Sequence, residues 1–399
     1  MSRRADSLLI ICFLVLMGAA PIVNAQGVQE PSAPQAVSPE QLKAAIDKLG
    51  DFDYDTRTAA SRTVRRTVAT QAVPALLQAV AEHADGYVRY RALVLLTGFN
   101  DPRTTDAMKE SRTSPNDRLR TVAYSFFEHH PDRALVGDLI VSLDKEQGEF
   151  VRPELVRALA SHGGDPRVRQ ALLREAGRGE DFFRSAVIEA LGDHKALYAF
   201  DALTAIAKLD GPLQDDAALA LGKLGDKRAL ETLAAIQRTA PRPTQPSIAA
   251  AICLLGVNCE SHTGYLADAL KFSNKNAGFQ ELLRSAAAGL AAVAVAGHPE
   301  AAESLIAIGV PANDDTTRAP VALALATVAL RNTPLMVTLL EKHSDREKAI
   351  ALLAEGFDML EEDLDKERFF ALARRTYWES PAGAPRRALM QTLIGKLDF

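Results

Sequence analysis

A five-residue phrase returns along this chain at a nearly fixed interval. Val88-Arg89-Tyr90-Arg91-Ala92, Leu119-Arg120-Thr121-Val122-Ala123, Val151-Arg152-Pro153-Glu154-Leu155, Phe183-Arg184-Ser185-Ala186-Val187 and Leu213-Gln214-Asp215-Asp216-Ala217 are variants of it. Its second position falls at Arg57, Arg89, Arg120, Arg152, Arg184, Gln214 and Gln245, in steps of 30 to 32 residues. A period of that size marks stacked helical hairpins. Each hairpin has more apolar surface than it can bury alone, so its neighbours must cover it. The expectation is an all-α solenoid of about ten or eleven hairpins over residues 38–399. Such an array offers long repeated surfaces in place of one cleft, so it points to binding before chemistry.

The hairpin reads most clearly at Leu213 to Leu233. Leu213, Ala217, Leu221 and Leu224 share one helical face, Gly225 and Asp226 turn the chain, and Lys227 to Leu233 begins the second helix. Ser38-Pro39-Glu40-Gln41 has the spacing of a capping box with proline at the first helical position. The period loosens after Gln245, where an insert around Lys271 to Phe279 delays the next copies to Leu283-Arg284, Thr317-Arg318 and Arg346-Glu347. A last hairpin near Pro385 to Leu397 closes the array. The Ala-rich stretch 286–296 reads as a buried helix, and the acidic stretch Asp358 to Glu367 as a solvated helix face. Phe126-Phe127 and Phe182-Phe183 suit the core, and Tyr377 and Trp378 the packing of the C-terminal cap.

The run Ala217-Ala218-Leu219-Ala220-Leu221-Gly222-Lys223-Leu224-Gly225-Asp226-Lys227-Arg228-Ala229-Leu230 resembles the HEAT repeat, in the short form named after phycobilisome lyases. The resemblance runs over roughly residues 40–399 and implies a superhelix with the Arg-phrase helices on its concave face. It also implies an interlocking ladder between repeats, made by Arg89, Arg120, Arg152 and Arg184 with Asp101, Asp165, Asp193 and Asp226. The fold serves scaffolds, adaptors and a few enzymes alike. Deoxyhypusine hydroxylase, a HEAT-like di-iron protein, takes its ligands from His-Glu dipeptides, and this sequence has none.

Arg3 and Arg4 precede an apolar run from Leu8 to Ala20, and Val23-Asn24-Ala25 resembles a signal-peptidase site. The reading is a cleaved leader over 1–25 and a disordered, Pro-rich spacer over 26–37 before the solenoid. Export to a periplasm or outside the cell is expected. The leader run is too short for a comfortable span, and no later apolar run suggests a membrane domain. A net charge of −5 gives no basic field for nucleic acid. Export permits Cys253 and Cys259 to form a disulfide closing a small loop; two core thiols are the alternative.

No Gly-x-Ser-x-Gly, His-Glu-x-x-His or Gly-x-x-x-x-Gly-Lys motif occurs. His130, His162 and His194 recur at steps of 32, with His129 beside the first. They invite a metal site, but successive repeats stand ~8–10 Å apart, so the histidines read as exposed turn residues. No cofactor, metal or catalytic residue is assigned. The expected function is a non-catalytic scaffold that binds a protein or an extended peptide on its concave face, with a structural spacer of the cell envelope as the alternative and an enzyme as the third reading. Oligomeric state and the partner's identity are not written in the sequence.

Overall fold

A computed structural model describes residues 33–399. The leader and residues 26–32 of the spacer lie outside the described residues. The N-terminal helices are α1 (Pro39–Asp47), α2 (Tyr54–Arg66), α3 (Ala69–Glu82), α4 (Gly86–Thr97), α5 (Arg103–Ser111), α6 (Asp117–His129), α7 (Val136–Lys145) and α8 (Val151–Ala160). The middle ones are α9 (Pro166–Ala176), α10 (Asp181–Asp193), α11 (Phe200–Ala207), α12 (Gln214–Leu224), α13 (Ala229–Gln237), α14 (Gln245–Leu254) and α15 (Cys259–Lys275). The last are α16 (Gln280–Val295), α17 (Pro299–Gly309), α18 (Asp315–Arg331), α19 (Thr333–Lys342), α20 (Arg346–Met359), α21 (Asp363–Glu379) and α22 (Pro385–Lys396). The fold is an all-α solenoid of about eleven hairpins.

The predicted start is present: the Ser38 hydroxyl accepts from the Gln41 amide, and the Gln41 side chain accepts from the Ser38 amide. Part of the spacer differs from expectation. Gln35 exchanges backbone bonds with Arg66 and Val68, and Val37 bonds to the Gln71 side chain. Unpaired amides of an extended segment have found acceptors at the end of α2, so residues 35–37 belong to the folded body.

Even-numbered helices from α2 to α22 stack in one row and most odd-numbered helices in the other. The even row carries the phrase, and small residues let its members approach closely. A Cβ on Gly222 would fall on the Ala251 backbone, and one on Gly356 would collide with the Ala322 carbonyl. Both obstacles are backbone and cannot rotate away. Gly356→Ala is expected to destabilise the protein by ~1–3 kcal/mol, read from its urea midpoint. Gly264→Ala, where nothing stands within 4 Å, lacks this clash and should cost less or be neutral.

The phrase's second residue has a repeated role that differs from the ladder. Arg89 donates to the Val80 carbonyl in the last turn of α3, and Arg184 to Ala176 at the end of α9. Gln214 donates to Ala207, and Gln245 to Gln237 and Ala240. Arg318 repeats this with Gly309 and Ala312, and Lys366 with Phe357 and Leu360. Each side chain satisfies carbonyls left without partners at the end of the preceding helix. A neutral amide does this as well as a guanidinium, which explains how glutamine can stand in the series. Arg120 donates to the Ser114 carbonyl and pairs with Glu146 at 2.7 Å. Arg152 lies 3.6 Å from Glu175 and over the Phe183 ring.

The aspartates have other partners. Asp101, Asp165 and Asp226 each accept from the amide and guanidinium two residues on, at Arg103, Arg167 and Arg228. Asp193 pairs with Lys223 at 2.6 Å. None of the eight ladder residues pairs with another of them. The phrase arginine sits in the first turn of its helix and the aspartate at or beyond the helix end, so they occupy opposite edges of the solenoid.

The alternation fails once. By position α21 belongs to the odd row, yet it packs on α4, α6 and α18 of the even row. One helix touching both the early and the late members of that row means that the even row lines the inside of the superhelix. It also means that the superhelix closes on itself.

Candidate functional site

The contact between α21 and the early helices is built from charge. Asp363 accepts from the Tyr90 hydroxyl and from Arg91 at 2.8 Å. Asp365 faces His129 at 3.1 Å, Arg368 at 2.8 Å and Arg331 at 3.4 Å. Glu367 pairs with Arg65 at 2.8 Å, with side chains 1% and 6% exposed. Arg374 lies 3.7 Å from the same carboxylate. Leu364 packs into the apolar core of the N-terminal half. Phe370 receives the Arg65 guanidinium on one side and stacks on the buried Phe399, 4.1 Å between ring centres. Arg62 and Asp398 form an ion pair beside them. Much of the acidic stretch read as a solvated face is therefore buried. Its partners on α2, α4 and α6 lie some 240 to 300 residues away in the chain, where no local pattern reports them.

Burial and pairing set the protonation states here. Burial alone would raise the Asp363 and Asp365 carboxyls. Arg91 and Lys366 overcome it at Asp363, and His129 and Arg331 at Asp365, so both are held below the ordinary aspartate range. The Tyr90 phenol is pushed up by burial and by Asp363, which keeps it protonated as a donor.

Further along the interior, charges from α6, α8, α10, α12 and α18 converge. Glu128 faces His194 at 3.3 Å, Arg157 bonds Glu154 and lies 3.4 Å from Glu189, and Arg331 reaches Glu362 at 3.1 Å. Carboxylates outnumber cations. Burial raises the Glu154 carboxyl, with Glu128 and Glu362 adding to it, and burial raises that of Glu362 despite Arg331. Burial also raises Asp216, with Asp215 and Glu189 nearby. Beyond α21 the interior is open: the Glu189 and Asp193 side chains are 50% and 42% exposed. A cavity of 560 Å³ lies beside the closure, between Thr97, Phe126 and His130 on one wall and Arg368, Leu372 and Arg375 on the other.

The remaining sequence-derived residues separate as follows. His130 is an exposed turn residue as expected, stacked on Phe126 with 4.1 Å between ring centres, whereas His162 is buried and is not an exposed turn residue. His129 and His194 point to carboxylates, and the recurring histidines do not converge as a ligand group. Cys253 and Cys259 are joined as a disulfide, 4.1 Å between Cα atoms. Phe126, Phe127 and Phe183 are buried, whereas Phe182 is 56% exposed. Tyr377 is buried, and Trp378 packs edge-on against it at 5.0 Å.

A family model for HEAT repeats matches residues 42–126. The fold is a HEAT-like solenoid. None of the curated proteins matches the chain. Among solved structures, the HEAT-like solenoid is similar to the Escherichia coli protein YibA, with 18% identity, 55% of this chain and 83% of that one covered, and a TM-score of 0.41. It is similar to the complex of CpcE and CpcF of phycocyanin lyase from Nostoc, with 20% identity, 65% and 97% covered, and a TM-score of 0.40. Kap95p, from a complex with RanGDP, is 12% identical, with 90% and 56% covered and a TM-score of 0.42. At these identities the likeness concerns the fold. Among the described residues, no single helix of the HEAT-like solenoid is long and apolar enough to cross a membrane.

Proposed function

We propose that this chain is an exported, non-catalytic scaffold that binds another protein along the open interior of its superhelix. The repeat is read as the short, phycobilisome-lyase type, on the phrase around Gly222 to Asp226. The observation that carries the binding reading is the uneven charge of the interior. The basic side chains near α4 and α6 are taken up by the chain's own α21. The stretch beyond it exposes Glu189 and Asp193 beside Asp215 and Asp216, with Arg157 reaching Glu189 and Lys223 reaching Asp193. That charge suits an extended basic segment, since complementary potentials steer encounter and fix register. A superhelix whose ends meet is a compact body, which favours binding over service as an elongated spacer.

The test uses fluorescence anisotropy with an extended Lys/Arg-rich peptide and an acidic peptide of equal length. The basic peptide is expected to bind, with affinity falling as salt rises, and Glu189→Lys with Asp193→Lys should weaken it at least tenfold. Equal binding of both peptides, or of both proteins, would contradict the reading. N-terminal sequencing of the protein from its native host tests export: a start at Gln26 is expected, and an intact Met1 would refute it.

A further inference from the structure

We propose that Cys253, Cys259 and His298 form a redox-gated site for a borderline-soft divalent metal ion of the Zn²⁺ class. Among the described residues they are the one group of three or more His, Cys, Asp or Glu side chains whose ligand atoms all lie within 4.8 Å of one another. The inference is independent of the binding reading above.

The site is assembled from separate elements. Cys253 ends α14 and is buried. Gly256 and Asn258, at φ 77° and 43°, fold the chain back so that Cys259 opens the 17-residue helix α15. His298 comes from the turn before α17, 39 residues further on, and faces the Cys259 sulfur with Nδ1 at 3.7 Å and Nε2 at 3.8 Å. Zinc bonds sulfur at ~2.3 Å and imidazole nitrogen at ~2.0–2.1 Å, which sets tetrahedral neighbours ~3.5–3.8 Å apart. The Cys259 sulfur–Nε2 separation is of that size, and because the sulfur lies as near to Nδ1, the imidazole must turn to aim its Nε2 lone pair at the ion.

Two further features fit a ligand set. Glu300 places a carboxylate oxygen 3.2 Å from His298 Nδ1. A proton held on Nδ1 leaves the Nε2 lone pair for a metal, the arrangement in which a carboxylate orients a ligating histidine. Cys259 lies in the first turn of its helix, where exposed amides and the helix dipole favour a thiolate. His298 is 37% exposed, so water has access to a fourth position.

The disulfide excludes the metal, because its sulfurs are not thiolates. A dithiol reductant supplies two electrons and two protons: the Cys253–Cys259 bond breaks, two thiols form, and the reductant becomes a disulfide. Binding of M²⁺ then forms two metal–sulfur bonds and releases both thiol protons, while neutral His298 contributes its nitrogen lone pair. Metal occupancy is thus a record of redox state.

The test titrates Co²⁺, and then Zn²⁺ in competition, into the full chain under argon, before and after reduction and removal of the reductant. The reduced protein is expected to bind one equivalent of Co²⁺ with thiolate-to-metal absorption and tetrahedral visible bands, lost on adding Zn²⁺. The oxidised protein is expected to show neither. Cys259→Ser should abolish the thiolate signature. His298→Gln, on a half-exposed turn where folding is not at stake, should weaken binding at least tenfold. Far-UV circular dichroism of each sample separates lost binding from lost structure. Absence of stoichiometric binding by folded, reduced protein would overturn the proposal. So would binding that His298→Gln leaves unchanged.

Discussion

Replacing Glu367 with alanine lowers the stability of the protein by ~3–5 kcal/mol and releases α21 from α2 and α4. The Glu367 carboxylate is almost wholly removed from solvent and stands between Arg65 and Arg374. Burial depresses the Arg374 guanidinium, with Glu367 the nearby charge opposing that effect. Without Glu367, two guanidiniums face each other in a site that water does not reach, so the cost exceeds the value of the lost bonds. Urea denaturation measures the loss. Hydrogen exchange locates it: amides of α21 and of α2 to α4 should lose protection, while those of α12 to α16 keep theirs. Lys43 and Asp47 provide the contrast. Their side chains are 75% and 43% exposed, and Lys43→Ala should cost ~0.5 kcal/mol or less. A double change of Arg65→Met with Glu367→Leu should recover much of the loss, because an apolar pair of similar volume leaves less charge uncompensated. Arg374 keeps that recovery incomplete.

Acid opens the same contact. Asp363 and Asp365 have folded-state pKa values below their unfolded ones. Their pairing therefore adds stability that is fully present above the unfolded value, near 3.8, and is lost as pH falls through the lower folded value. Glu154 and Glu362 have the opposite sign. Burial raises both, so their ionised forms subtract stability at neutral pH and protonation relieves it. The melting temperature of wild type should fall steeply below pH 4, and Asp365→Asn should shed part of that acid step because its contact is already lost at neutral pH. Glu362→Gln should leave the steep acid step in place and flatten the profile above it. An Asp365→Asn profile parallel to wild type throughout would show that this carboxylate does not govern the transition.

The regular part of this architecture was legible because it is local and repeated. The period at Arg89, Arg120, Arg152 and Arg184 specifies one hairpin and its neighbour, and a solenoid needs little more. The role of that position was not legible. The resemblance to the HEAT repeat implied a ladder of these arginines with turn aspartates, whereas the structure uses Arg89 and Arg184 to cap a preceding helix and Asp101 and Asp165 within their own turns. The glutamines at 214 and 245 were the available signal, since capping carbonyls needs a donor and a ladder needs a charge. The closure was hidden for another reason. Arg62, Arg65 and Arg66 lie near one end of the chain and Asp363, Asp365 and Glu367 near the other. Opposite charge at two distant places says that they could meet, and only the accumulated curvature of the repeats decides whether they do. The interior acidic residues were equally opaque. Each is an ordinary surface carboxylate in its own repeat, and the cluster exists only after five helices converge.

The superhelix is closed by α21, with its early helices held against its late ones. Spin labels at Asp106 on α5, next to Thr105 of the cavity wall, and at Arg375 on α21, both exposed, measure this closure directly by pulsed electron resonance. A single narrow, short separation is expected in the wild-type background, becoming longer and broader when Glu367→Ala is added. A long, broad separation in the wild-type background, unchanged by Glu367→Ala, would contradict it.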